Sequence, residues 1–323
     1  MKKETKPKVV VIGGGTGLPV ILKGLKKKDI HLTAIVTVAD DGGSSGKIRE
    51  QMDVLPPGDI RNVMLALSNV DPRVVDLFQY RFAVDGDLSG HVIGNLILTA
   101  LSQLNDSYVD AINVLATVLK IRGKVIPATD QPLILNAEME DGSIVHGESL
   151  IPLQGKHINR VYIEPENVKP YPTAVEAVKE ADLIVIGPGS LYTSILPNLL
   201  LTELADEIIA SKAPKVYITN ILTQIGETDF FSDADHIKVI HEHVGKSFID
   251  KTLINTTTVP KELLFPEDVA QVEHNAKGME ELGVEAIYQD FLSTEDGLLV
   301  RHAAEKVADA LLAMLPNQTI EKE

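Results

Sequence analysis

The chain has 323 residues, 44% of them hydrophobic but only 4% aromatic, with neither tryptophan nor cysteine. Its formal charge of −16 repels a nucleic-acid backbone at long range. The absence of cysteine excludes disulfide scaffolds, thiol nucleophiles and thiolate metal sites. The length suits one large α/β domain with an insertion or two ordinary domains, and an aliphatic core is what a parallel sheet covered on both faces uses. The opening MKKETKPK lacks the apolar region and cleavage site of a secretory leader, and no apolar run reaches bilayer length. A soluble, cytoplasmic protein with no nucleic-acid partner and no membrane insertion is expected.

Residues 9–17, VVVIGGGTG, read as a buried strand running into a tight turn, with LPVILKGL starting a helix behind it. Four glycines in five positions let backbone N–H groups and a helix N-terminus approach an anion, most often a phosphate, although a plain strand–helix turn has the same glycines. The spacing G-x-G-x-x-G is not met: counted from Gly13 its third glycine falls on Leu18, and from Gly15 on Val20. Lys23, Lys26, Lys27 and Lys28 are expected on the solvated face of the first helix. Residues 32–39 read as a second buried strand, ending in the loop Asp40-Asp41-Gly42-Gly43-Ser44-Ser45-Gly46, with helical patterning over 47–52. After Pro56-Pro57-Gly58 a helix is expected over 59–67, with Asp59 as its N-cap. A third unit at 74–82 closes at Asp85-Gly86-Asp87, and apolar helices follow over 96–104 and 109–119.

Residues 124–163 change to short β segments, with Asp141-Gly142 as a hairpin signal. The segment 124–172 is therefore expected to be an inserted, antiparallel β-rich subdomain on a Rossmann-like nucleotide-binding core formed by 1–123 and 173–323. From Thr173 helix and strand alternate again, through DLIVIG, a strand at 215–220, a helix at 234–244 and a strand at 248–255. Such alternation means βαβ units and a mostly parallel sheet with helices on both faces. Residues 260–278 are polar, broken by Pro266, and receive no element. A helix near 299–315 gathers Val300, Ala303, Ala304, Val307, Ala308 and Leu311 on one face.

Ligands of open parallel sheets bind beyond the carboxyl ends of the strands. GGGTG, DDGGSSG, GPGSLYTS and TNILTQIGETD all fall at such ends, which argues for a single ligand site. Asp40 lies about where a Rossmann fold keeps its ribose-binding acid. Two acids before Gly-Gly-Ser-Ser-Gly fit a carboxylate pair for Mg²⁺ or a hydroxyl beside a second anion-holding loop, or else an acidic turn capping the next helix. Gly189, Ser190, Tyr192 and Thr193 belong to a loop suited to a second phosphate or to sugar hydroxyls, or else to a plain helix entry. Asn220, Thr223, Gln224, Glu227, Thr228 and Asp229 suit hydroxyls and amides of a sugar or base. His236 and His243 stand two helical turns apart, too far for a joint chelate, and His241 aligns with Ile237, Ile240 and Val244 as a core-edge residue. His91, between glycine-containing turns before a helix, is the better candidate for ligand contact.

The blocks VVVIGGGTGL, AIVTVADDGGSSGKIR, PPGDIRNVMLALS, GHVIGNL, DLIVIGPGSLYTSILPNLL and TQIGETD followed by DH together resemble the CofD-like (2-phospho-L-lactate transferase-like) family, and within it the YvcK-type branch of gluconeogenesis factors. The resemblance implies, for the transferase branch, transfer from a phospholactyl nucleotide to a deazaflavin alcohol with Mg²⁺ near an acidic pair. Asp40 and Asp41 match that pair, although deazaflavin-binding features are not evident. For the YvcK-type branch it implies a link to carbon flux, cell shape and cell-wall precursor supply, with UDP-sugars, UDP-N-acetylglucosamine in particular, as ligand. It carries over as nucleotide-sugar contacts Gly14, Thr16, Gly17, Asp40, Asp41, Gly43, Asp59, Arg61, Asn62, Asn95, Gly189, Ser190, Tyr192, Thr193, Asn220, Gln224 and Arg301. It also expects an aromatic residue before the last strand, aligned with Phe265, where the branch usually has tyrosine. Ile225-Gly226-Glu227-Thr228 replaces the Pro-Gly-Glu-Thr of many relatives, keeping the acid and the hydroxyl. Ala303-Ala304 stand where some relatives carry a phosphorylatable threonine, so regulation at that spot is not expected.

Three readings stand. The first is a UDP-sugar-binding regulator that needs no cofactor for binding, has protein partners in envelope synthesis, and leaves a homodimer open. The second is a Mg²⁺-dependent transferase with Asp40 and Asp41 as catalytic and metal-binding acids. The third is an NAD(P)-binding protein, weakened by the missing third glycine and by the lack of an evident hydride-transfer acid.

Overall fold

The computed structural model describes residues 6–315 apart from 84, 106, 265, 267 and 295–298. Its strands are β1 (Lys8–Gly13), β2 (His31–Val36), β3 (Lys124–Pro127), β4 (Ile134–Met139), β5 (Ile144–His146), β6 (Ile158–Glu164), β7 (Leu183–Ile186), β8 (Lys215–Ile218), β9 (Lys251–Asn255), β10 (Glu285–Gln289), β11 (Leu292–Ser293) and β12 (Arg301–His302). Seven of them form one sheet in the order β10-β9-β8-β7-β1-β2-β3, with every pair parallel. A three-stranded antiparallel sheet, β5-β4-β6, stands beside it, and its β4–β5 connection is the Asp141-Gly142 hairpin. The expected α/β, Rossmann-like architecture is the one observed.

Strand β1 shows why the sheet is double-sided. Val9 and Val11 join Leu18, Ile60, Ile112 and Val307 on one face, while Val10 and Ile12 join Val175, Ile195, Leu204 and Ile237 on the other. Side chains of a strand alternate between faces, so a run apolar at every position is buried twice. From β1 the chain builds outward through β2 and β3, then returns to pair β7 against the other side of β1 and continues to β10. The strand order therefore reverses between β1 and β7, and a crevice forms at their carboxyl ends.

Several local expectations are corrected. Lys124–Pro127 is the edge strand of the main sheet, so the antiparallel insertion begins after it rather than at residue 124. The glycine–serine loop after Asp41 is already helix, Gly43–Met52. Asp59 is not an N-cap: the helix Gly58–Leu67 is preceded by Pro57, and the Asp59 carboxylate reaches back to the first glycine loop. The last helix is Ala304–Leu312, so Val300 lies outside it, immediately before β12. Within 260–278 lie a short 3₁₀ turn, Lys261–Leu263, and the start of the helix Ala276–Leu282; Phe265 falls outside the described residues. The first-helix lysines are not merely solvated: Lys27 pairs with Glu305 at 2.6 Å and Lys28 with Asp309 at 2.7 Å, tying the helix Leu18–Leu25 to the last one. Among the described residues no helix is long and apolar enough to cross a membrane.

Candidate functional site

A groove of about 740 Å³ opens at the β1–β7 reversal. Thr16 and Gly17 line it from the loop after β1, Gly189, Ser190 and Thr193 from the loop after β7, and Asn220, Gln224 and Glu227 from the loop after β8. Arg301 and His302 close it from β12. The three strand-end loops pack backbone to backbone. A Cβ at Gly17 would lie 2.9 Å from the Pro188 carbonyl oxygen, and one at Gly189 would lie 3.2 Å from that of Gly14, so side chains there would push the loops apart.

The N–H groups of Thr16, Gly17 and Ser190 donate to no other described residue. They stand beside the start of the helix Leu18–Leu25, whose N-terminus is itself favourable to an anion. Asn220 Nδ2 donates to the Gly189 carbonyl at 2.8 Å, and Gln224 Nε2 donates to Ser190 Oγ at 2.8 Å. These amides fix the third loop against the second and present neutral donors and acceptors to the groove. Arg301 is exposed, and His302 donates from Nε2 to the Thr219 carbonyl at 3.1 Å. Burial pushes the His302 pKa down to about 4, so it is neutral and the charge at this wall is that of Arg301.

The acids are arranged differently from the expected pair. Both oxygens of Asp41 are occupied, accepting from the N–H groups of Glu148 at 2.9 Å and Ser149 at 2.8 Å. Asp41 thereby caps the 3₁₀ helix Glu148–Gln154 of the insertion. Asp40 accepts from Gly42 N–H at 3.0 Å. Asp59 accepts from Gly15 N–H at 2.8 Å, and burial, then the neighbouring Asp40, push its pKa up to about 7. Glu227 accepts from Tyr192 N–H at 3.1 Å and from Thr193 Oγ1 at 3.0 Å; burial still raises it to about 7. Glu148 is raised to about 8, first by burial and then by Asp40, Asp41, Asp59 and Glu227.

Each Asp41 oxygen thus already accepts one backbone N–H, and one Asp40 oxygen accepts another. Among the described residues no group of three His, Asp or Glu side chains is placed to hold a metal ion.

Other expected contacts sit behind the groove wall. Tyr192 is buried, its ring against Phe231 and His243, and its backbone N–H is taken by the Glu227 carboxylate. His91 is buried and bonded to Ser44 at 3.3 Å. The Arg61 guanidinium is buried and donates to the side chains of Asn95 and Asn62. Gly43 opens its helix in a left-handed conformation (φ +49°), and Gly14 lies closely under Thr37 and Asp59. His241 Nε2 accepts from Phe248 and Ile249 N–H at 3.3 Å, as suits a core-edge residue. Sequence reasoning missed the groove contributions of Glu148, Ser149 and Pro152 from the insertion.

A doubly wound parallel sheet with a polar, amide-lined groove at its strand-order reversal defines a Rossmann-like α/β protein. The family model described as 2-phospho-L-lactate transferase CofD matches residues 9–292, and the chain belongs to that family. The gluconeogenesis factor of Listeria monocytogenes serovar 1/2a is 99% identical over 323 residues, 100% of each chain. That of Bacillus subtilis (strain 168) is 48% identical over 313 residues, covering 96% of this chain and 98% of its own. A crystal structure of a protein from Bacillus halodurans superposes with a TM-score of 0.93 at 46% identity, over 95% of this chain and 100% of the other.

Proposed function

We propose that the chain binds a nucleoside diphosphate sugar, of the UDP-N-acetylglucosamine kind, in the β1–β7 groove. Through that binding it acts as a cytoplasmic regulator of gluconeogenic growth, cell shape and wall-precursor supply, by way of protein partners in envelope synthesis. The observation that carries the binding reading is the set of free N–H groups at Thr16, Gly17 and Ser190 flanked by the Asn220 and Gln224 amides and by Arg301. The former suit a diphosphate and the latter suit a base or sugar. The groove volume lies within the range of small-molecule sites. The gluconeogenic part rests on relatives named gluconeogenesis factor at 99% and 48% identity.

A transferase is the second reading, favoured by the description of the matching family. The engagement of Asp41 by two backbone N–H groups weighs against it. An NAD(P) ligand would bring a diphosphate to the same amides, and competition with UDP-sugars distinguishes the two. Arg301→Ala tests the site directly. Loss of one charge-assisted contact should weaken UDP-N-acetylglucosamine binding by about 10- to 100-fold in calorimetry, with the thermal midpoint unchanged because the side chain is exposed. Unchanged affinity would remove Arg301 from the site.

A further inference from the structure

The antiparallel insertion contributes to the groove through one short element, and the geometry assigns it a recognition role. We propose that Glu148 is the specificity-determining residue for the sugar moiety, reading its hydroxyl or amide groups while the strand-end loops hold the diphosphate. The inference rests on the nucleotide-sugar reading above and goes beyond it by naming the residue that separates a nucleotide sugar from the bare nucleotide.

The placement of Glu148 is rigid. Its own N–H and that of Ser149 are held by the Asp41 carboxylate, and a Cβ at Gly147 (φ +101°) would lie 2.5 Å from Asp41 Oδ2. At the far end of the same 3₁₀ helix, a Cβ at Gly226 would overlap the Pro152 carbonyl, so this helix is wedged between the loop after β2 and the loop after β8. The side chain at its start lines the groove, half-buried, and its carboxyl accepts no hydrogen bond from any other described residue. Of the other groove acids, Glu227 is committed to Tyr192 N–H and Thr193 Oγ1, and Glu262 stands on the 3₁₀ turn Lys261–Leu263. Glu148 is thus the uncommitted acid that the insertion brings to the wall.

Its surroundings select what it meets. The charged groups that act on it are Asp40, Asp41, Asp59 and Glu227, all acidic. A phosphate against that wall would face repulsion with no cation to offset it. A neutral hydroxyl or amide is the compatible neighbour. Held largely protonated near neutral pH, the carboxyl can both donate to an oxygen and accept from a hydroxyl. Sites that hydrogen-bond a ligand hydroxyl discriminate strongly against ligands lacking it, because their polar groups are then left unpaired.

The test is calorimetry of UDP-N-acetylglucosamine and of UDP with the full chain and with E148A and E148S; the latter keeps a polar residue at the helix start without the reach. Both variants should bind UDP within about twofold of the wild type and lose about tenfold in affinity for the UDP-sugar, the size of one hydrogen bond. E148Q, which keeps the shape and both hydrogen-bonding capacities, should restore most of the difference. Equal weakening of both ligands, or no change in either, would overturn the assignment. If the wild type bound neither nucleotide, the nucleotide-sugar reading itself would fall, and this inference with it.

Discussion

Asp41 looked like half of a metal-binding pair because two adjacent acids before glycines and serines have that chemistry. In the fold its two oxygens hold the N–H groups of Glu148 and Ser149 instead, a contact across 107 residues of chain that no local pattern encodes. Asp41→Asn keeps one carbonyl oxygen and leaves one N–H without its acceptor. It should cost about 1–3 kcal/mol in denaturant unfolding and weaken UDP-sugar binding by loosening the helix that carries Glu148. A transferase reading would instead put the loss in turnover. Thr16, Gly17, Gly189, Ser190, Asn220 and Gln224 were legible because glycines and amides at strand ends announce close backbone approach. Tyr192 and His91 are buried, which the polar loops around them do not announce in the sequence.

At the scale of elements, hydrophobic runs located the inner strands, and the edges escaped. β10, EAIYQ, is a partly exposed edge strand with charged and amide ends, so it lacks the apolar run that marks β1 or β7. The helix Gly43–Met52 was hidden by its own glycines. A Cβ at Gly46 would overlap the Asp41 carbonyl, so the glycine serves close packing rather than a loop. The loop after β8 holds a strained point: Phe230 has φ +62° and is fully exposed, while Phe231 beside it is buried. A β-carbon in the left-handed region costs roughly 1–2 kcal/mol, and asparagine tolerates it better. Phe230→Asn should therefore raise the thermal midpoint with little effect on ligand affinity. A lower midpoint would mean that the ring makes a stabilising contact in solution.

For the whole molecule, three acids in or behind the groove wall have raised pKa values: Asp59 and Glu227 at about 7 and Glu148 at about 8. Below about pH 4 they are protonated in both the folded and unfolded chain and make no difference. Between there and pH 7–8 the unfolded chain gives up these protons while the folded chain keeps them, so the folded state binds more protons and stability falls as pH rises. The thermal midpoint should decline from pH 5.5 to pH 8, with a shallower slope in Glu148→Gln; a midpoint rising over that range would contradict the placement of these acids. The same protonation lessens the negative charge an incoming diphosphate meets, so affinity should strengthen toward lower pH over that range.

The central claim is that the β1–β7 groove holds a nucleotide sugar without a protein-held metal. Titration of the full chain with UDP-N-acetylglucosamine, first in chelator and then with Mg²⁺, followed by product analysis of the same samples, tests it most directly. The account predicts binding of one ligand per chain in chelator, displaced by other UDP-sugars, with the nucleotide sugar recovered intact under both conditions. No binding in chelator, or consumption of the nucleotide only when Mg²⁺ is added, would contradict it.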